Sequence, residues 1–196
     1  VYGGVQQWQV LQDTDPQARI VAPYERSPQL GVRGVGALGG LEYTLETEYN
    51  RFTRPTGGEA DAITGQRAHA VGSIAWPLRA SEGYLIPQLA LNAAVYDTDR
   101  AMSDGRTRAQ RAVEPRHVAL EHEAAVGADG GDHALRQTLE PRLAYAYTPT
   151  RDQSALPLFD TALKDFNEVS IYSPNAFSGV DRVSDAHQVT AGIASR

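Results

Sequence analysis

Three groups of residues have types and spacings that could do chemistry. Gly34-Val-Gly-Ala-Leu-Gly39 fits the G-x-G-x-x-G pattern of a phosphate-binding turn, in which glycines let the backbone approach a pyrophosphate at a helix N-terminus. That chemistry needs a helix after the motif. The next residues are instead Leu41-Glu-Tyr-Thr-Leu-Glu-Thr-Glu-Tyr49, which alternate with period two, so the expectation is a tight hairpin turn at Gly39-Gly40. His117, Glu121, His122 and Glu123 carry metal-ligating atoms. Positions 117 and 122 fall on opposite faces of a strand, so one ion cannot take both histidines without a bulge, and no metal is expected. His69, His133 and His187 stand apart from any Ser or Cys nucleophile pattern, so neither catalytic nor cofactor-binding residues are expected and the chain is not read as an enzyme. The third group is the run 149–185, where Arg151, Asp152, Asp160, Asp165, Asp181, Arg182 and Asp185 can pair charges and fold an otherwise long loop back on the protein.

The elements that would position these groups are strands. Leu41, Tyr43, Leu45 and Tyr49 alternate with Glu42, Thr44, Glu46 and Glu48. The same alternation sets Trp8 and Val10 against Gln7 and Gln9, Leu30 and Val32 against Gln29 and Arg33, and Ile74, Trp76 and Leu78 against Arg67, His69 and Ser73. It continues with Leu85, Leu89, Leu91 and Val95 against Gln88 and Asn92, and with Val118, Leu120 and Val126 against His117, Glu121 and Glu123. Leu139, Leu143, Tyr145 and Tyr147 then oppose Arg136, Glu140 and Arg142, and Val189, Ala191 and Ile193 open an eighth strand. The best helical candidate, Ala162 to Ile171, is short and lies in the last long loop. Pro87 and Pro141 each remove a ladder donor, and a local bulge is expected at Pro141.

Read from these boundaries, the connections are 13–27, 39–40, 53–65, 79–83, 97–111, 127–133 and 149–185. They alternate long and short. Short turns at one end and long loops at the other, joining strands of about ten to fourteen residues, are the pattern of an outer-membrane β-barrel. The fold class expected is therefore all-β, an antiparallel transmembrane β-barrel segment of about eight strands. A porin-like channel or a soluble β-sandwich remains open on the pattern alone, because a sandwich also alternates apolar and polar positions. In a barrel, Leu45, Ile74, Trp76, Leu89, Leu91, Leu120, Leu139, Leu143 and Tyr145 would face lipid. Glu42, Glu46, Glu48, Arg67, Glu121, Arg136, Glu140 and Arg142 would face a wet lumen, where cross-strand ion pairs contribute a few tenths to about 1 kcal/mol each.

Bulk properties narrow the classes further. The 196 residues carry 18 Lys and Arg, of which Lys164 is the only lysine, against 24 Asp and Glu, a net charge of −6 that argues against nucleic acid as a partner. There is no cysteine, hence no disulfide framework or thiolate metal site in this stretch. No run approaches the roughly 18 consecutive apolar residues of a spanning helix. The mean hydropathy of −0.40 does not count against a barrel, since only alternate residues of a barrel strand meet lipid. The sequence opens on Val1 without a leader pattern and stops at Arg196 within an alternating segment, so a piece of a longer protein is expected.

One block is specific enough to carry a family resemblance. Gln137-Thr-Leu-Glu-Pro-Arg-Leu143, then Arg151-Asp-Gln-Ser154, Leu156-Pro157, Phe159-Asp-Thr161 and Asp165-Phe166, resembles the most recognisable part of the LPS-assembly protein LptD family, also called OstA. Asn175-Ala-Phe-Ser-Gly179, Asp181-Arg182, Asp185-Ala186 and the stretch from Gln188 to Arg196 continue the likeness. Upstream, Pro23-Tyr-Glu-Arg26, Pro28-Gln-Leu30, Glu48-Tyr49, Arg51-Phe52, Gly65-Gln-Arg67 and Trp76-Pro-Leu78 are similar to the corresponding hairpins, while 97–136 departs most from the family pattern. The resemblance implies that residues 1–196 are a central part of the C-terminal barrel domain, without the N-terminal jelly roll or the first and last barrel strands. It implies lipopolysaccharide transport and assembly at the Gram-negative outer membrane. The partners it implies are lipopolysaccharide, outer-membrane lipid, the LptE lipoprotein plug, the periplasmic bridge LptA reached through the jelly roll, and the barrel-assembly machinery. It also singles out Arg151, Asp152, Gln153, Asp160, Asp165, Phe177, Gly179, Asp181, Arg182 and Asp185 as an ordered, lid-like loop of structural or partner contacts.

Overall fold

The computed structural model describes residues 1–9, 11, 21–54, 62–81, 83–113, 115–122, 124–127, 136–167, 170–173 and 175–195. These form one antiparallel sheet of 11 strands and, among the described residues, no α-helix. The strands are β1 (Tyr2–Gln6), β2 (Glu25–Leu38), β3 (Leu41–Thr53), β4 (Gly65–Ala75), β5 (Leu78–Ala80) and β6 (Gly83–Thr98). They continue with β7 (Arg108–Val113), β8 (Arg116–His122), β9 (Ala124–Gly127), β10 (Arg136–Thr148) and β11 (Ala186–Ser195). The hydrogen-bonded order β1-β2-β3-β4-β6-β8-β10-β11 is an up-and-down meander with eight positions, and β1 and β11 do not pair with each other, so the sheet is open.

The three short strands off that path continue the register of longer ones, and a proline stands at two of the interruptions. Ala75 pairs with Gln88 and Leu78 with Leu85 in one unbroken register, so β4 and β5 are a single strand interrupted at Trp76-Pro77, opposite Ile86-Pro87. The Trp76 amide still donates to the Pro87 carbonyl at 2.9 Å. β7 and β8 likewise keep one register against β6, from Asp97↔Arg108 to Gly83↔His122, across Pro115. β8 and β9 keep one register against β10, from Tyr147↔Arg116 to Arg136↔Gly127. β10 itself runs past Pro141 to β11 without a shift. A proline has no amide hydrogen to give, so the ladder loses a rung there while the strand direction holds.

Several expectations from the sequence are corrected by this geometry. The bulge expected at Pro141 is absent: Glu140, Pro141 and Arg142 pair in step with Ala194, Ile193 and Gly192 of β11. The first strand is Tyr2–Gln6 rather than the segment around Trp8. Trp8 instead donates its indole N–H to the Tyr24 carbonyl at 3.1 Å, and Val10 lies outside the described residues. The connection expected at 97–111 is shorter, because β6 and β7 zip together to Asp97↔Arg108. Among the described residues of Ala162 to Ile171 no α-helix forms: Leu163 bridges Phe177 in extended conformation, and the only helical piece described there is a 3-10 turn at Ser170–Tyr172.

The turn at Gly39-Gly40 is the one the sequence specifies. Leu38 pairs with Leu41 across two residues whose φ angles are 59° and 85°, a left-handed pair that glycine adopts without a Cβ clash. The only register shift between β2 and β3 falls between Arg26 and Gln29, at Pro28.

Burial along the strands is inverted relative to a soluble sheet. The large, apolar, exposed side chains of β2, β3, β4, β6, β10 and β11 lie almost all on one parity, among them Leu45 at 50% and Ile193 at 74%. The opposite parity holds Glu48, Asn50, Arg67, His69, Arg111, Glu140 and Thr190, all buried. We call the second the inner face. The compact apolar cluster sits there, where Phe52, Ala94 and Tyr96 of the sheet meet Leu156 and Phe159 of the segment 149–185.

Candidate functional site

The segment 149–185 is the bent continuation of the β10–β11 hairpin. Strand pairing ends at Thr148↔Ala186, but ties between the two arms go on in nested order. Thr150 donates through Oγ1 to Asp185 Oδ2 at 2.9 Å. Gln153 then grips the far arm, with Nε2 donating to the Val183 carbonyl and Oε1 accepting from the Val183 amide, while Arg182 donates to the Gln153 carbonyl. Further out, the Val180 amide donates to Asp160 Oδ1, the Asp181 amide to Thr161 Oγ1, the Ser178 amide to the Ala162 carbonyl and the Lys164 amide to the Ala176 carbonyl. Gly179 makes the close crossing possible: its φ is 67°, and a Cβ there would collide with the Asp160 carbonyl.

This folded loop sits on the inner wall through one buried ionic knot. Arg67 of β4 donates Nη1 to Asp160 Oδ1 at 2.8 Å and Nη2 to Asp160 Oδ2 at 2.6 Å, a fork-to-fork pair, and its Nη1 also reaches Asp181 Oδ1 at 2.7 Å. The side chains of Arg67 and Asp181 are wholly buried and that of Asp160 is 10% exposed. Asp181 is filled on its other side by the amides of Phe159 and Asp160 at 2.7 and 2.9 Å, and Tyr96 donates its hydroxyl at 3.2 Å. Arg26 adds a longer contact to Asp160 at 3.3 Å. Burial by itself would raise the Asp160 carboxyl, but the hydrogen bonds and charge of Arg67 override it and hold the group at about 2. At Asp181 burial outweighs the pull of Arg67, with the negative charge of Asp160 adding to it, and the carboxyl is pushed up. Two carboxylates thus share one guanidinium, and Asp160 is the first to ionise.

Around the knot lies an aromatic clamp. Phe159 stacks on Phe52 with ring centroids 4.3 Å apart and planes 8° apart, and Tyr24 meets Phe159 edge-on at 5.3 Å. The Arg67 guanidinium lies 5.0 Å from the Phe52 centroid. Arg111 supports the same seat from β7, donating to the Val180 carbonyl at 2.6 Å and to Gln153 Oε1 at 3.3 Å. Nearer the tip, the Ile171 carbonyl accepts from Gln188 and Thr190 of β11.

Of the loop residues singled out from sequence, the structure brings Gln153, Asp160, Gly179, Asp181 and Arg182 together at this seat. The others lie elsewhere. Asp152 caps its own turn through Ser154, whose backbone and side-chain hydrogen bonds lower its carboxyl. Asp185 takes the Thr150 hydroxyl, Phe177 bridges Leu163, and Arg151 and Asp165 are exposed. On the sheet, Glu42, Glu46, Glu48, Arg67, Glu140 and Arg142 lie on the inner parity. Glu48 accepts from Tyr2, Gln29 and Asn50; Arg79 pairs with Glu42 at 3.6 Å, Arg33 with Glu46 at 3.9 Å and Arg142 with Glu140 at 3.5 Å. Leu45, Ile74, Trp76, Leu89, Leu91, Leu139, Leu143 and Tyr145 lie on the outer parity and are exposed. For Leu120, Glu121 and Arg136 only the backbone pairing is described. His117 is half-buried at an inner position between Gln88 and Ala146, and no cluster of metal-ligating side chains occurs among the described residues. The sequence reading missed Phe52, Phe159, Tyr24 and Arg111. Phe52 carried a signal, as a large aromatic on the parity of Glu46, Glu48 and Asn50.

A family model described as LPS transport system D matches residues 1–196. The chain belongs to the LptD family. Curated LptD-family relatives include the LPS-assembly proteins LptD of Paracidovorax citrulli, 40% identical over 96% of this chain, and of Thiobacillus denitrificans, 35% identical over 97%. That of Burkholderia ambifaria is 38% identical over 97% of the chain. The chain spans about a quarter of the length of these LptD relatives, 23%, 25% and 24% respectively.

Proposed function

We infer that this chain is a wall segment of an outer-membrane β-barrel that takes part in lipopolysaccharide transport and assembly. The observation that carries the reading is the inverted sheet, apolar and exposed on one face, charged and buried on the other, joined to membership of the LptD family. A soluble sheet would leave its exposed face polar, whereas a barrel wall turns alternate residues to lipid and the rest to a wet interior. The aromatic side chains fit the same reading: Tyr43 and Trp76 lie at the short-turn ends of the outer face, and Tyr49, Tyr145 and Tyr147 toward the long-loop ends, as interfacial girdles do.

On this reading residues 1–196 are part of the family's C-terminal barrel domain in the Gram-negative outer membrane, and the segment 149–185 is an extracellular loop that covers the lumen. Lipopolysaccharide is the cargo. The LptE plug, the LptA bridge and the barrel-assembly machinery are the partners, with LptA contacting another part of the full-length protein. Depletion of the full-length protein in its host tests the reading. Newly made lipopolysaccharide is expected to stop reaching the outer leaflet, and undiminished surface lipopolysaccharide under complete depletion would overturn it.

A further inference from the structure

We propose that residues 149–185 form a hinged lid that lifts from the inner wall as one folded body, with Arg67 as its latch. The proposal rests on the barrel-wall reading and adds to it a moving part, its hinge and its fastening.

The internal ties are the first support. The bonds that shape the loop run between its own two arms, from Thr150–Asp185 at the root through Gln153–Val183 and Asp160–Val180 to Lys164–Ala176. They are nested like the rungs of a hairpin, so none of them must break for the loop to leave the wall. The root is the second support. Both arms depart from a single cross-strand pair, Thr148↔Ala186, so a swing about the residues just beyond it carries the whole body once the wall lets go. Arg111, Tyr96, Gln188 and Thr190 then release their bonds to the loop along with the Arg67 knot.

The fastening is separate from the fold. Asp160 and Asp181 are crossed by loop bonds on one side and by Arg67 on the other, so the guanidinium holds the loop down while the amides of Phe159, Asp160 and Val180 hold it together. Arg67 is a strand residue whose backbone is fixed between Asn50 and Tyr96. It therefore stays with the wall when the loop moves. Lifting would uncover Ala94, which lies under Leu156 and Phe159 in the apolar cluster.

The experiment uses the full-length protein in outer membranes carrying Ala94→Cys as a reporter, with a membrane-impermeant maleimide added from outside and the labelled peptide identified by mass. Labelling is expected to be slow, and to rise about tenfold or more with Arg67→Gln, the scale set by the loss of charge-assisted hydrogen bonds. Hydrogen exchange supplies the second readout. The amides of Lys164, Ser178 and Ser184, which bond within the loop, are expected to keep their protection in the variant. Labelling that stays slow sinks the latch. Fast labelling together with lost protection of those three amides sinks the lid as a unit, since the loop would then be unravelling. If Arg67→Gln fails to assemble, the double variant Asp160→Asn, Asp181→Asn removes the same ion pairs from the loop side and carries the same two readouts. Failure of the underlying barrel reading shows separately, as loss of heat-modifiable migration and of outer-membrane fractionation for the unmutated protein.

Discussion

Arg67 illustrates how far a single side chain's energetics depend on where it sits. Removing one partner of a buried ionic cluster strands the others in low dielectric, which typically costs about 3–5 kcal/mol, so Arg67→Met should destabilise the full-length protein by that order in urea titration monitored by heat-modifiable migration. The exposed pair on the same face behaves otherwise. Arg33 and Glu46 are 71% and 40% exposed and 3.9 Å apart, so Arg33→Ala should change stability by less than about 1 kcal/mol in the same assay. Acid should act through Asp160. Its folded-state carboxyl is depressed to about 2, below the value near 3.9 of an unfolded aspartate, so its stabilisation is fully present above the unfolded value and is lost as pH falls through about 2. The Ala94→Cys labelling rate should therefore not rise between neutral pH and about 4, where proton uptake by the raised Asp181 carboxyl favours the seated loop. It should rise only below about 4, after correction for the intrinsic thiol rate with an exposed reference cysteine. A rise already near neutrality would mean that another group fastens the loop.

At the scale of elements, local chemistry decides turns and ladder breaks, while pairing across distance decides what the turns are for. Gly39 and Gly40 occupy left-handed conformations that cost other L-residues roughly 1–2 kcal/mol, so Gly40→Val should destabilise by that order, whereas Gly39→Asn should be nearly silent in the same unfolding titration. This turn and the parity of every strand from β2 to β6 were legible in the sequence, because each is set by residues within a few positions of one another; the connection expected at 127–133 lies, beyond Gly127, outside the described residues. Pro141 was misread for a related reason: a missing donor need not shift the register, and only the pairing with β11, which stays in step from Glu140 to Arg142, shows that it does not. The helix expected over Ala162 to Ile171 failed because Leu163 finds Phe177 and Lys164 finds Ala176. Tertiary pairing overrode a weak local preference. The charges of Asp160 and Asp181 were legible as a group that would pair, but their partner Arg67 lies 93 and 114 residues away, and no local spacing reports such a distance.

For the whole molecule the question is which solvent each face of the sheet meets. Leu143 and Ala144 are adjacent on β10, Leu143 on the exposed apolar parity opposite Ala191, Ala144 on the inner parity opposite Thr190. If the outer face meets hydrocarbon, an arginine at 143 must be carried into lipid, so Leu143→Arg should destabilise the full-length protein by about 2–4 kcal/mol near the bilayer midplane, and Ala144→Arg should be nearly neutral. Stability by itself does not discriminate, because a buried protein interface would also resist charge at 143. Spin or fluorescent labels placed singly at 139, 142, 143 and 144, and challenged with a quencher confined to lipid and one confined to water, do discriminate. Labels at 139 and 143 should be quenched from the lipid alone, and labels at 142 and 144 should be untouched by it. The exposures of Leu139 and Leu143, 39% and 44%, leave room for acyl chains to reach both positions. Protection of 139 and 143 from both quenchers would mean that protein, not lipid, covers the outer face, and the barrel-wall reading would fall with it.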